Sequence, residues 1–198
     1  FRSWYPLMTI IDPQRAKKWT YDLLDMAKEG GVLPKWPLHG NYTGTMIGYP
    51  AVSIFSDAIS KKIISADKED FLNYSLKSST WQEEFYEKHK GDRAQNVMPK
   101  HIYYKEKIGY VPVDLEKESV SYGLEMAYYD WCIANIAQSI GREEVYNEYL
   151  KKSKYYSFYF DKEKKFMRGR KLDGTWEENF DPFFSDHLRS SDRKSTRL

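Results

Sequence analysis

Between Leu33 and Pro50 the chain reads Leu-Pro-Lys-Trp-Pro-Leu-His-Gly-Asn-Tyr-Thr-Gly-Thr-Met-Ile-Gly-Tyr-Pro, which has the period of neither a helix nor a strand. Gly40 and Gly44 admit backbone angles closed to other residues, and Pro34 and Pro37 stiffen the approach. Trp36, His39, Asn41, Tyr42 and Thr43 then supply a stacking surface and directed hydrogen-bonding groups within a few positions. A sugar ring needs that combination. The alternative is a connection that caps the next helix, with His39 and Asn41 bonded to local backbone.

Glu125 and Asp130 are carboxylates on a segment that is apolar on two sides, where partial burial raises a carboxyl pKa and suits acid catalysis. A Glu among Met, Ala and Tyr is more commonly hydrogen-bonded to a neighbouring Tyr or a loop amide, so Glu125 is read as structural. Arg168 and Arg170 either pair with acidic site residues or face solvent from a strand. His89, His101 and His187 have no partner at metal-ligand spacing, and Asp181, Asp186 and Asp192 would need a particular loop shape to attract a cation, so no metal site is read. Cys132, the single cysteine, sits in a helical apolar pattern as a small buried hydrophobe.

The 31 basic and 29 acidic residues are spread along the chain, leaving a net charge of +2 and no electrostatic footprint for nucleic acid. No apolar run approaches the roughly 20 residues needed to span a bilayer. The chain starts at Phe1 without an initiator Met or a leader, so it is expected to be a fragment. Aromatic residues make up 17% of it, but most fall at helical spacing, as Trp19, Leu23 and Leu24 do, so core packing explains the majority.

The elements that must position these groups are helices. Asp12-Pro13 opens the first and Gly30-Gly31 closes it, so it spans about 13 to 29. A second runs from about Thr45 to Ile64 with Pro50 in its first turn or as a kink, and a third from Asp67 to about His89. Asp92 to Asp114, with Gly91, Pro99, Gly109 and Pro112, reads as a long loop with short extended pieces. Leu115 to Ile140 carries two apolar stripes and is buried on two sides. Glu143 to Phe160 follows as one helix with Val145, Tyr149, Tyr156 and Phe160 inward, and Lys165 to Glu177 as a hairpin turning at Asp173-Gly174. Long helices apolar on two sides alternating with helices apolar on one side give an all-α class of stacked helical hairpins with inner and outer members.

The stretch Ser119-Val-Ser-Tyr-Gly-Leu-Glu-Met-Ala-Tyr-Tyr-Asp-Trp-Cys-Ile-Ala-Asn-Ile-Ala, followed by Phe166-Met-Arg-Gly-Arg and Asp181-Pro-Phe, resembles the catalytic domain of glycoside hydrolase family 92, the calcium-dependent exo-acting α-mannosidases. Phe1-Arg-Ser, Leu33-Pro-Lys-Trp36 and Gly40-Asn-Tyr-Thr-Gly-Thr-Met-Ile-Gly48 fall in that family's order, and the resemblance covers roughly residues 1 to 192. Residues 193–198 form a tail that departs from the family pattern.

The resemblance implies part of an (α/α)6 toroid, with about five of its twelve helices here, one long loop and a small β-hairpin. It implies an inverting exo-α-mannosidase acting on mannose-containing glycans, with α-1,2-linked mannose as the expected substrate. Inversion needs an acid to protonate the leaving oxygen and a base to activate water. The family carries the acid in a Tyr-Thr-Glu-Gly-Asn motif after Ser-Ser-Asp, whereas here Ser190-Ser-Asp192 leads into Arg193. The base pair and the calcium-site segment fall further downstream, and a substrate-holding Trp-Asp falls before Phe1. No catalytic residue and no calcium ligand is therefore expected in this chain. The substrate-binding candidates are Arg2, Trp36, His39, Asn41, Tyr42 and Arg168, with the departure that the family favours Glu where Tyr42 stands. Export to the periplasm or cell surface of a bacterium is implied for the parent, and self-association for a fragment with uncovered helix faces. A different class of function stays open: a non-catalytic helical module binding a glycan or a protein partner.

Overall fold

A computed structural model describes residues 2–181 apart from 39, 40 and 44, with the backbone alone at 37, 38, 41, 42, 93 and 94. In chain order the elements are α1 (Trp4–Ile11), α2 (Pro13–Gly30), β1 (Pro37–Leu38), β2 (Asn41–Tyr42), α3 (Ala51–Ser60), α4 (Lys68–Ser79), α5 (Glu83–Lys88), a 3-10 turn (Arg93–Val97), α6 (Lys100–Ile108), α7 (Ser119–Ser139), α8 (Glu143–Lys152), a second 3-10 stretch (Ser153–Tyr159), β3 (Phe160–Asp161) and β4 (Phe166–Met167). The chain is all-α in class, with two very small antiparallel hairpins, β1–β2 and β3–β4, among the described residues.

α2 forms where its caps predict. Asp12 accepts from the Arg15 amide at 3.0 Å, Pro13 takes the first helical position, and Gly31 at φ +81 ends the helix with its N–H on the Ala27 carbonyl. Its buried face is Ala16, Thr20, Leu24 and Ala27, one residue per turn. The Thr20 hydroxyl meets the Tyr5 hydroxyl at 2.5 Å and ties α1 to α2.

Other boundaries differ from the sequence reading. α3 begins at Ala51, not Thr45, because Met46 and Gly48 hold φ +73 and +67, which no α-helix contains. The helix expected over 67–89 breaks at Thr80, which is extended. The hydroxyls of Ser75, Ser78 and Ser79 bond back to carbonyls of their own helix, and Trp81 turns out to pack on Tyr86 and Tyr103. The region expected as a loop, 92–114, holds α6, and its Pro99 and Gly109 are the punctuation of that helix: Pro99 precedes its first residue and Gly109 caps it at φ +83. α7 starts at Ser119, after Glu118 in the left-handed region. The single helix expected over 143–160 changes to 3-10 winding at Ser153, and Tyr156 and Phe160, expected inward, are exposed. The predicted turn at Asp173-Gly174 is present, closed by an Arg170–Trp176 bridge. β3 and β4 pair upstream of it.

α7 is the central element. It is buried from Ser119 to Ala137 except along the stripe of Tyr128 and Trp131, which stays half exposed, and it packs against α3, α4, α8 and the second 3-10 stretch. α3 packs on it and is likewise buried on most of its surface, whereas α2 and α8 bury one face. These are the inner and outer members that the stripes predicted. In the second turn of α7, Gly123 lets the Tyr159 ring close in: a Cβ there would lie 2.2 Å from it, and the Tyr159 hydroxyl accepts the Val111 amide at 2.7 Å.

Inside this core lies a buried cluster of charged and polar side chains. Lys105 of α6 donates to both oxygens of Asp130 of α7, at 2.9 and 3.2 Å, and to the Tyr49 hydroxyl at 3.0 Å. Tyr49 in turn donates to Asp130 at 2.8 Å. Asp130 is fully enclosed, and its partners stitch α6, α7 and the segment before α3 together.

Candidate functional site

The segment after α2 is held along its length. The Leu33 amide donates to Ser78 Oγ of α4 at 2.7 Å, and Lys35, a buried side chain, donates to the carbonyls of Met46 at 3.2 Å and Asn96 at 2.5 Å. Lys35 thus ties both sides of the 33–50 segment to the first 3-10 turn. Burial pushes its ammonium down to about 7, against the opposing field of Glu118. The segment expected to lack regular structure folds back on itself as β1–β2, with Pro37 opposite Tyr42 and Leu38 opposite Asn41. Thr43 Oγ donates to the Trp36 carbonyl at 2.9 Å, and Trp36 Nε1 donates to Thr45 Oγ at 2.9 Å. These bonds aim a half-exposed indole from a braced hairpin.

Trp36 borders a cleft of about 340 Å³. Its walls are Leu23 of α2, Pro34, Lys35, Met46 and Ile47 of the hairpin segment, Ile54 of α3, Glu125 and Tyr129 of α7, and Arg2. Most of the lining is apolar, and three of its polar side chains, Arg2, Glu125 and Tyr129, touch one another, as small-ligand sites commonly arrange them. There the Arg2 guanidinium contacts Glu125 Oε1 while the Tyr129 hydroxyl donates to Glu125 Oε2 at 2.8 Å, so both carboxylate oxygens are engaged. Burial raises the Tyr129 phenol well above its ordinary value, the Arg2 charge opposing, so it stays a donor. Beyond the same pair opens a second hollow of about 480 Å³, where Tyr128, Trp131 and Tyr156 stand half exposed beside Leu124 and Met167.

Of the sequence candidates, Arg2 and Trp36 therefore meet at one cleft. Asn41 and Tyr42 lie on β2, on the same hairpin, by their backbone. His39 lies outside the described residues, as do His187, Asp186, Asp192 and the tail 193–198. Arg168 is placed elsewhere: it bonds Asp161 at 2.8 Å and the Glu177 carbonyl through Nε at 2.9 Å, and so braces the β3–β4 hairpin. Glu125 is bonded to a neighbouring tyrosine, as its surroundings predict. Sequence reasoning missed Lys35, and it expected a tyrosine bond for Glu125 without naming Tyr129. The spacing singles out that tyrosine, since Tyr129 lies four residues after Glu125 on one helix.

A sequence profile of the glycosyl hydrolase family 92 catalytic domain matches residues 1–195. The chain belongs to glycosyl hydrolase family 92. Its fold agrees with solved members: the family GH92 α-mannosidase BT3965 of Bacteroides thetaiotaomicron, whose structure was determined with mannoimidazole, is 30% identical over 90% of this chain with a TM-score of 0.77. The family GH92 inverting mannosidase BT2199 of the same organism is also 30% identical over 90%, with a TM-score of 0.80. The chain spans only 22% and 23% of the length of those proteins. No curated protein matches it. As a family 92 chain it is a helical glycoside hydrolase fragment, and its stacked hairpins fit a sector of a helical toroid.

Two further features bear on chemistry. Among the described residues, no group of three or more His, Cys, Asp or Glu side chains is arranged to hold a metal ion. No described helix is long and apolar enough to cross a membrane.

Proposed function

We propose that this chain is one sector of the catalytic toroid of an inverting, calcium-dependent exo-α-mannosidase, and that it contributes a wall of the mannose site. The observation that carries the proposal is the family match over residues 1–195, joined to a cleft in which an exposed indole, a guanidinium and a fixed carboxylate converge. An aromatic face with polar groups at its edge suits a pyranose, whose ring presents C–H bonds on its faces and hydroxyls around its rim.

In this reading the proton-transfer carboxylates and the calcium ligands lie outside the chain. Glu125 is engaged by Arg2 and Tyr129, and Asp130 by Lys105 and Tyr49, so neither stands ready to protonate a leaving group. Among the described residues no group of three or more His, Cys, Asp or Glu side chains is arranged to hold a metal ion. The substrate is a glycan ending in α-linked mannose, with the α-1,2 linkage favoured, and the parent protein is exported by a bacterium.

The test compares the complete protein with chain 1–198 on α-mannosides, following release of free mannose. Release by the complete protein and none by the chain supports the proposal. Turnover by the chain that is lost in Glu125→Gln would place the acid here and overturn it. No release by either would favour the non-catalytic module.

A further inference from the structure

We infer that Glu125 is a positioning residue: it holds the Arg2 guanidinium at the mouth of the cleft, and Tyr129 and Gly48 in turn hold Glu125. The inference rests on the proposed mannose site, since it gives Arg2 its task there.

The geometry runs inward from an exposed cation. The Arg2 side chain is 66% exposed, and a guanidinium in that setting samples many rotamers unless something fixes it. What it meets is the Glu125 carboxylate, only 13% exposed and fixed at its other oxygen by the Tyr129 hydroxyl at 2.8 Å. Tyr129 has no latitude of its own. It is buried, its ring lies 5.2 Å from that of Tyr49, and Gly48 sits so close that a Cβ there would fall 2.4 Å from the ring. Tyr49 continues the chain of support to the buried Asp130 and Lys105.

An exposed charge is thereby tied to the buried core through two carboxylate oxygens and one phenol. Arg2 also borders both hollows that meet at Glu125. A planar fork held at that junction recognises vicinal hydroxyls or a carboxylate directionally, which a freely rotating cation does not. Holding a polar group in place before the sugar arrives spares the reaction the cost of ordering it.

The experiment is a double-mutant cycle in the complete protein, with wild type, Arg2→Ala, Glu125→Gln and the double variant assayed on an aryl α-mannoside and melted in parallel. Gln keeps the volume of Glu and retains a donor and an acceptor, so the helix is preserved. The expected result is a loss of kcat/KM of about 10²-fold for either single variant, the order seen when one directed polar group is removed. Glu125→Gln should then add less than twofold in the Arg2→Ala background. Independent, multiplying losses, or wild-type kcat/KM per folded molecule with a lowered Tm, would overturn the inference and leave Glu125 a purely structural residue. If the wild-type complete protein cleaves no α-mannoside, the functional proposal fails separately. The Tm values of the same four proteins then decide the contact, with non-additive shifts supporting an Arg2–Glu125 pair and additive shifts rejecting it.

Discussion

Gly48 lies so near the Tyr129 ring that a Cβ at position 48 would stand 2.4 Å from the ring edge, and its φ of +67 is one that L residues rarely adopt. Space and backbone angle thus demand glycine at once. Gly48→Ala should cost roughly 2–5 kcal/mol, from about 1–2 for the left-handed backbone and about 1–3 for overpacking. Gly174→Ala is the control: its φ is +84, yet nothing lies within 4 Å of its Cβ position, so only the backbone part, about 1–2 kcal/mol, should appear. Thermal melts of both variants measure the difference. Equal losses would mean that Tyr129 yields to the new methyl group.

The buried Lys105–Asp130–Tyr49 group predicts a different pattern. Removing one charge strands the other, so Lys105→Met or Asp130→Leu alone should destabilise by about 3–5 kcal/mol. The double variant, apolar on both sides, should be less damaged than the sum of the two. Denaturant titration of the three variants checks this, and simple additivity would show that the charges do not depend on one another.

Stability should also depend on pH through two buried bases. His101 stacks on Tyr122 at 3.7 Å, its Nε2–H donates to the Lys117 carbonyl at 2.7 Å, and Nδ1 is buried without a hydrogen bond, 3.8 Å from Glu116. Burial lowers its pKa from 6.5 to about 4, the Lys117 bond opposing and the Lys35 charge assisting. The unfolded chain therefore binds the extra proton between pH 6.5 and 4, and stability falls as pH drops through that window. Lys35, lowered from 10.5 to about 7, has the same sign in a higher window: stability rises as pH goes from 7 towards 10.5. Melting curves of His101→Gln and Lys35→Met should each lose the slope in their own window and keep it in the other.

A fourth expectation concerns the edges of the sector. Trp4, Leu7, Ile10 and Ile11 are exposed along α1, and Tyr128, Trp131 and Tyr156 are exposed beside α7. Apolar surface of that extent on a lone piece should drive chain 1–198 to self-associate. Sedimentation at several concentrations tests it. A dispersed monomer with a sharp two-state melt would count against these faces being covered in the complete protein.

Much of this arrangement was legible in residues whose effect is local. Asp12-Pro13 and Gly31 set α2, and Asp173-Gly174 set a turn, because caps and left-handed positions act within a few residues. The burial of α7 on several sides was legible in its doubled apolar stripes, and the tyrosine bond of Glu125 in its neighbours. What failed depended on distant partners. Pro99 and Gly109 suit a loop as well as the ends of a helix, and only the packing of α6 on α7 decides between them. The early break at Thr80 goes with the packing of Trp81 on Tyr103, and the outward Tyr156 with the change to 3-10 winding at Ser153. At the site, Trp36 and Arg2 were chosen for their chemistry, whereas Lys35 became visible only through carbonyls 11 and 61 residues away.

The most direct test of the account is the anomeric form of the mannose first released by the complete protein, followed by proton NMR from the start of the reaction, with and without a calcium chelator. The account predicts that β-mannose appears first, as single-displacement inversion of an α-linkage requires, and that chelation abolishes release until calcium is restored. α-Mannose as the initial product, or release indifferent to the chelator, would contradict it.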